Sequence, residues 1–226
     1  MTSAVLGREI NLLDRYPRIT RSVVERSVDS EQQQEFRRIA RQFGREYFDA
    51  DRTTGYGGYR YDGRWVPIAE RFRDHYGLQS GHRVLDVGCA KGFLMHDLQS
   101  VVPGIDVVGV ELSQYALTHA MDDVRDRVVC GTAQHLPFDD RAFDLVISIN
   151  TLHNLERPAC IEALREIERV SRRHKYVQVD SWLNDQQRDK FLKWVLTAMT
   201  YDTPDGWRQL FREADYSGDY YWTITE

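Results

Sequence analysis

The sequence predicts an α/β fold in which a doubly wound, mostly parallel sheet is flanked by helices and preceded by an N-terminal helical extension. Two observations carry that expectation. From residue 82 onward, HRVLDVGCA, DVVGVEL, RVVCGTA, FDLVISIN and KYVQVDSW recur as short β-branched apolar runs. Helical patterns or turn residues separate each run from the next, which is the signature of βαβ units. The runs are also nearly continuous in apolar residues, as strands covered on both faces are. A length of 226 residues suits one sizeable domain with an extension better than two independent domains. The boundary is placed at residue 80, with 1–80 as a helical, lid-forming extension and 81–226 as the sheet domain.

The elements follow in order. Phe36, Ile39, Ala40, Phe43 and Tyr47 fall at helical spacing and predict one amphipathic helix over 31–47. Pro67 opens a second helix, with Ile68, Phe72 and Tyr76 inward and Gly77 as its stop. Crossover helices are expected over 91–100, 113–121 and 158–171. Beyond the fifth strand, Phe191, Leu192, Val195 and Met199 share one face of a helix over 185–199. Thr203 and Pro204 then start a helix carrying Trp207, Leu210, Phe211 and Ala214, and GDYYWTITE is a final strand.

Composition narrows the function classes. Hydrophobic residues make up 42% and charged residues 29%, and the net charge is −5, which suits a globular protein and argues against one that chiefly holds nucleic-acid phosphates. The three cysteines lack metal-ligand spacing and read as thiols of a reducing cytoplasm. No apolar run approaches the roughly 18 residues of a membrane span. The expectation is a cytoplasmic protein, a monomer or homodimer, with no nucleic-acid or membrane partner.

The first strand runs into DVGCAKG and then a helix. In a parallel sheet this is where backbone N–H groups and a helix N-terminus face a ligand beyond the strand ends. Gly88 and Gly92 allow close backbone approach. The second strand ends in Glu111, 25 residues after Asp86, where a carboxylate can accept both hydroxyls of a ribose. GTAQHLPF offers a polar turn after the third strand, and FDLVISINTLHNL a fourth strand ending in polar groups. A nicotinamide dehydrogenase would want G-x-G-x-x-G, which VGCAKGF does not supply.

Taken in order, these four segments resemble the class I, Rossmann-like, S-adenosylmethionine-dependent methyltransferases of the small-molecule branch, over residues 82–181. The resemblance implies a seven-stranded type of sheet that finishes with an antiparallel strand pair, of which the sequence shows one strand. It implies S-adenosylmethionine as cofactor. Gly88, Cys89 and Ala90 would pass under its methionine portion, with Asp86 supporting that loop or binding the amino group through water. Glu111 would hold the ribose and Leu112 pack on the adenine. Ala133 and Gln134 would lie along the adenine edge, and the Asn150 backbone would approach the methionine amino group. The sequence departs from the family pattern at Ala90, which stands where a glycine is usual, and at Thr132, where an acidic residue often meets the adenine.

Methyl transfer from a sulfonium needs alignment and water exclusion more than it needs a strong catalyst. His153, in INTLHNL, stands at the end of the fourth strand as a candidate base, with a cap or packing role as the alternative. Asp180, beside Trp182 at the end of the fifth strand, could orient a polar substrate. The histidines show no metal-site spacing, and no metal is expected. The acceptor is expected to be a small polar metabolite, such as a sugar, activated sugar or natural-product intermediate, methylated on O or N; a non-catalytic binding or scaffold protein of the same fold is the alternative.

The segment TTGYGGYRYDGRW at 53–65 packs four glycines, three tyrosines and two arginines into thirteen residues. Its glycines permit sharp turns. In the family the segment before the first strand commonly crosses the cofactor mouth. Tyr56 is therefore expected at the cofactor, and Tyr59, Arg60, Tyr61 and Trp182 at the acceptor.

Overall fold

A computed structural model describes residues 5–17 and 31–224. Thr225 and Glu226, the end of the expected last strand, lie outside them, as does the 18–30 part of the extension. The extension contributes α1 (Glu31–Ala40), α2 (Arg45–Phe48) and α3 (Val66–Tyr76). The sheet domain continues with β1 (Arg83–Val87), α4 (Phe93–Val101), β2 (Asp106–Glu111), α5 (Gln114–Thr118), β3 (Val128–Cys130), β4 (Phe143–Ile149), α6 (Arg157–Val170), β5 (Ser171–Ser181), α7 (Asp185–Trp194), α8 (Pro204–Glu213) and β6 (Asp219–Ile224).

The sheet has six strands in the order β3-β2-β1-β4-β5-β6, and every pairing is parallel. Strand order reverses between β1 and β4, so ligand space opens beyond their carboxyl ends. Period-two alternation splits the core between the two faces. Leu85, Val87 and Val110 pack with Ile167 of α6 and Phe211 of α8. Val84, Val107 and Leu145 pack with Phe72 of α3 and Leu98 of α4. The extension's third helix therefore belongs to the same core as the sheet.

Several elements differ from expectation. The antiparallel finish is absent: β6 runs parallel to β5, from Tyr176 opposite Asp219 to Ser181 opposite Ile224. A parallel pairing needs a long crossover, and α7 and α8 supply it. In place of a seventh strand, Glu9 forms a parallel bridge with Tyr220. There Ile10 N–H donates to the Tyr220 carbonyl at 2.9 Å and Tyr220 N–H to that of Arg8 at 3.0 Å. The helix expected over 31–47 breaks at Phe43, whose φ is +49°, and restarts after Gly44. The 185–199 helix stops at Trp194, because Val195 turns extended with ψ 133°. Other boundaries follow local chemistry, such as Gly77 ending α3 in the left-handed region at φ +62°.

Candidate active site

The turn after β1 is pinned to the end of β2. Gly88 and Cys89 N–H groups donate to the Val110 carbonyl at 2.8 and 3.2 Å. Gly88 has φ +82°, and a Cβ there would lie 2.2 Å from Thr151 Oγ1, so only glycine lets the ends of β1 and β4 approach this closely. Ala90 is also left-handed, at φ +51°, a strained state for a residue with a Cβ.

Glu111 holds that strain in place. Its Oε2 accepts from the Ala90 N–H at 2.9 Å and its Oε1 from the Ser113 N–H at 2.8 Å. Each oxygen keeps a second lone pair for a ligand hydroxyl. Burial raises the Glu111 pKa, and the hydrogen bonds from Ser113 and Ala90 only partly oppose it. Asp86, 5% exposed, is pushed up to about 7 by burial and by the Glu111 charge.

These groups face a cavity of about 1060 Å³, at the upper end of the size range of small-molecule sites. All ten residues expected at the cofactor line it: Tyr56, Asp86, Gly88, Cys89, Ala90, Glu111, Leu112, Ala133, Gln134 and Asn150. The residues fit the group. Two buried carboxylates favour its cationic portion, and Tyr47, Tyr56 and Tyr59 supply aromatic faces for a sulfonium. Asn150 is itself left-handed, at φ +52°. Its Oδ1 accepts from Thr223 Oγ1 at 2.9 Å, and that hydroxyl accepts from Gln178 Nε2 at 2.9 Å.

The Gly/Tyr segment forms one wall. Tyr56 N–H donates to the Tyr47 carbonyl at 2.9 Å, and Gly58 and Tyr59 N–H groups to that of Phe48 at 3.2 and 2.8 Å. Tyr59 stacks on Phe93 of α4, with ring centroids 4.7 Å apart. A Cβ on Gly55 would lie 1.9 Å from the Tyr47 carbonyl oxygen, which accounts for that glycine.

Of the residues expected at the acceptor, Tyr59 alone lines the cavity. Tyr61 turns outward, its hydroxyl donating to Asp97 Oδ1 at 2.6 Å, and Arg60 is exposed. Trp182 packs on Phe191 and Tyr201 at centroid distances of 5.5 and 6.0 Å. The two candidate catalytic residues also stand off the cavity. His153 is 4% and Asp180 5% exposed, and they face each other, with His153 Nε2 and Asp180 Oδ2 3.6 Å apart. His153 Nδ1 accepts from the Asp180 backbone N–H at 3.1 Å, so the neutral ring carries its proton on Nε2. Burial lowers the His153 pKa and raises that of Asp180. The polar side chains at the end of a strand are thus divided: some face the cavity and these two face the interior behind it.

Other lining residues had no signal in the sequence. Asn11, Asp14 and Tyr16 come from the N-terminal segment, Trp65 from the start of α3, and Tyr221 and Thr223 from β6. Arg64 reaches the lining already engaged, with Nε donating to Asp62 Oδ1 at 2.7 Å and a second bond from its Nη2 to Asp62 Oδ2. Among the described residues, no three His, Cys, Asp or Glu side chains gather as a metal-holding group.

Comparison with known proteins agrees with this geometry. Residues 85–178 match the methyltransferase domain family. Rice 24-methylenesterol C-methyltransferase 2 is 37% identical over 87 residues, which span 35% of this chain and 24% of that one. The 27-O-demethylrifamycin SV methyltransferase of Amycolatopsis mediterranei is 30% identical over 112 residues, 46% of this chain and 40% of that one. The chain thus spans well under half the length of these curated relatives. A putative methyltransferase of Bacillus halodurans superposes with a TM-score of 0.53 at 19% identity, over 65% of this chain and 67% of that one, and shows the shared fold. The domain at residues 85–178, with the cradle built around Glu111, places this chain among the class I, Rossmann-like, S-adenosylmethionine-dependent methyltransferases.

Proposed function

We propose that the protein moves the methyl group of S-adenosylmethionine to an oxygen or nitrogen of a small polar metabolite, such as a sugar, an activated sugar or a natural-product intermediate. The observation that carries the cofactor half is Glu111, whose two oxygens tie the turns after β1 and β2 and still face the cavity. Supporting the acceptor half, the cavity extends past the cofactor turns to the ends of β5 and β6, where Gln178, Tyr221 and Thr223 offer uncharged polar groups beside Trp222 and Ile224. Hydroxyl and amide partners of this kind suit a neutral hydroxylated ring. The rifamycin enzyme, by its name, also acts on a small natural product.

In this reading Glu111 holds the ribose hydroxyls and Leu112 and Gln134 flank the adenine. Asp86 and the backbone around Asn150 hold the methionine end. The cofactor supplies a methyl group already activated on a sulfonium. The chain's own task is to align the acceptor and keep water out, which the Tyr56 and Tyr59 wall performs. His153 and Asp180 support the end of β5 from behind in this reading, outside contact with the acceptor. Residues 1–80 serve as the acceptor-side extension of the domain at 81–226. The reading carries with it a cytoplasmic monomer or homodimer with no nucleic-acid partner; no helix among the described residues is long and apolar enough to cross a membrane.

A thermal-shift comparison of S-adenosylhomocysteine with NAD tests the cofactor assignment, with stabilisation expected from the first alone. Stabilisation by NAD instead would overturn it. Methyl release from labelled cofactor against a panel of hydroxylated and amino acceptors then separates an enzyme from a binding protein of the same fold.

A further inference from the structure

Lys91 follows Ala90 in the cofactor turn, yet it does not line the cavity. It is 7% exposed, and its ammonium spends its three donors on the wall across from it. Nζ donates to Asp49 Oδ1 and Oδ2 at 2.8 and 2.6 Å and to the Tyr59 carbonyl at 3.0 Å. The same carboxylate accepts from the Tyr115 hydroxyl at 2.7 Å and the Tyr59 N–H at 3.1 Å. Burial pushes the Asp49 carboxyl up, but the bonds from Lys91 and Tyr115 outweigh it and hold the group ionised below its ordinary range.

A second tether joins the same wall to the other turn. Ser113 Oγ donates to the Phe43 carbonyl at 2.5 Å, while the Ser113 N–H holds Glu111. The 43–59 segment is therefore fastened to the turn after β1 through Lys91, and to the turn after β2 through Ser113 and Tyr115. These are the two turns that Glu111 joins. Because Tyr56 is hydrogen-bonded to Tyr47, and Tyr59 to Phe48, placing Asp49 and Tyr59 also places the aromatic faces that line the cavity.

We propose that Lys91 is a positioning residue that couples cofactor occupancy to the order of the 43–59 wall: the cradle that closes on the cofactor sets Lys91, and Lys91 sets the tyrosines. This rests on the S-adenosylmethionine reading. Lys91 touches no ligand and acts through Asp49 and Tyr59. A buried ion pair suits the task, since its ammonium and carboxylate are costly to separate once water is excluded. An ordinary structural tether would strengthen the fold equally with and without the cofactor. A coupling residue must transmit a difference.

Hydrogen exchange of the full chain, with and without S-adenosylhomocysteine, reads that difference. In the wild type, saturating ligand is expected to slow exchange in peptides covering 55–60. Lys91→Met keeps the aliphatic stem and removes the ammonium. It should bind the ligand roughly tenfold more weakly and, at saturation, leave 55–60 exchanging as in the unliganded protein. Full ligand-induced protection of 55–60 in Lys91→Met overturns the proposal. Should that variant fail to fold, Tyr115→Phe removes one bond to Asp49 and must reduce the protection in part; unchanged protection there is equally fatal. A wild type that binds no S-adenosylhomocysteine sinks the cofactor reading and the coupling with it, whereas binding without transmission removes the coupling alone.

Discussion

Glu111 accepts a hydrogen bond from the Ala90 N–H at 2.9 Å, so the carboxylate that ends β2 stabilises the left-handed residue that ends the turn after β1. Ribose recognition and turn geometry are vested in one side chain. Glu111→Ala should weaken S-adenosylhomocysteine binding by roughly 10²-fold, from the loss of charge-assisted bonds to the ribose, with the far-ultraviolet dichroism unchanged. Glu111→Gln should fare little better, because its amide NH₂ must face either the Ala90 or the Ser113 N–H. Titration calorimetry on both variants checks this, and wild-type affinity in Glu111→Ala would move the ribose elsewhere.

Asp86 makes the unliganded protein sensitive to pH. Its native pKa of about 7 lies above the ordinary 3.8, so the folded state binds more protons than the unfolded one between those values. Stability therefore falls as pH rises through that window, by up to roughly 4 kcal/mol for this group. Asp86→Asn should flatten the dependence in urea melts at pH 4 to 7. A cationic ligand lowers the Asp86 pKa, so cofactor binding near pH 6 should release a proton. Calorimetry in buffers of different ionisation enthalpy would show that release, and an unchanged apparent enthalpy would contradict it.

His153 accepts from the Asp180 N–H inside the protein, and the two side chains are within 3.6 Å. His153→Ala should cost about 2–3 kcal/mol of stability, from the unpaired amide and the space left behind. Affinity for S-adenosylhomocysteine should stay within about twofold of wild type, well under 1 kcal/mol. Thermal melts alongside binding isotherms separate the two effects, and a stable variant with impaired binding would bring His153 back to the cavity.

The wall tyrosines should divide by their contacts. Tyr59 is stacked on Phe93, so Tyr59→Ala should cost roughly 2–3 kcal/mol of stability. Tyr56 is 39% exposed and faces the cavity, so Tyr56→Ala should spare stability and weaken cofactor binding, and Tyr56→Phe should restore most of it. Equal melting losses for the two alanine variants would make the whole segment packing.

Short-range chemistry made much of this legible in the sequence. The βαβ rhythm, the Gly88 turn and Glu111 at the end of the next strand are local patterns, and the cofactor residues read from them all face one cavity. The acceptor side was less legible. A residue after a strand can face the cavity or the core, and nothing in INTLHNL separates Asn150, which lines the cavity, from His153, which does not. Tyr61 alternates away from Tyr59 and finds Asp97 instead. Asp14 and Tyr16 reach the site only because residues 8–10 pair with β6, a contact between distant parts of the chain without a local signature. The parallel course of β6 was hidden for the same reason, since strand direction depends on how α7 and α8 cross the sheet.

That pairing also bears on the order of assembly. Arg8 N–H donates to Asp219 Oδ1 across a sequence separation of 211 residues, and the bridge at Glu9 requires a finished β6. During synthesis the N-terminal segment leaves the ribosome first, yet it has nowhere to dock until the last strand has been made and paired. The cradle around Glu111 is complete much earlier, once β4 has emerged. A nascent chain would thus acquire its cofactor turns before its acceptor side is closed, and a chain halted before β6 would keep the first and lack the second.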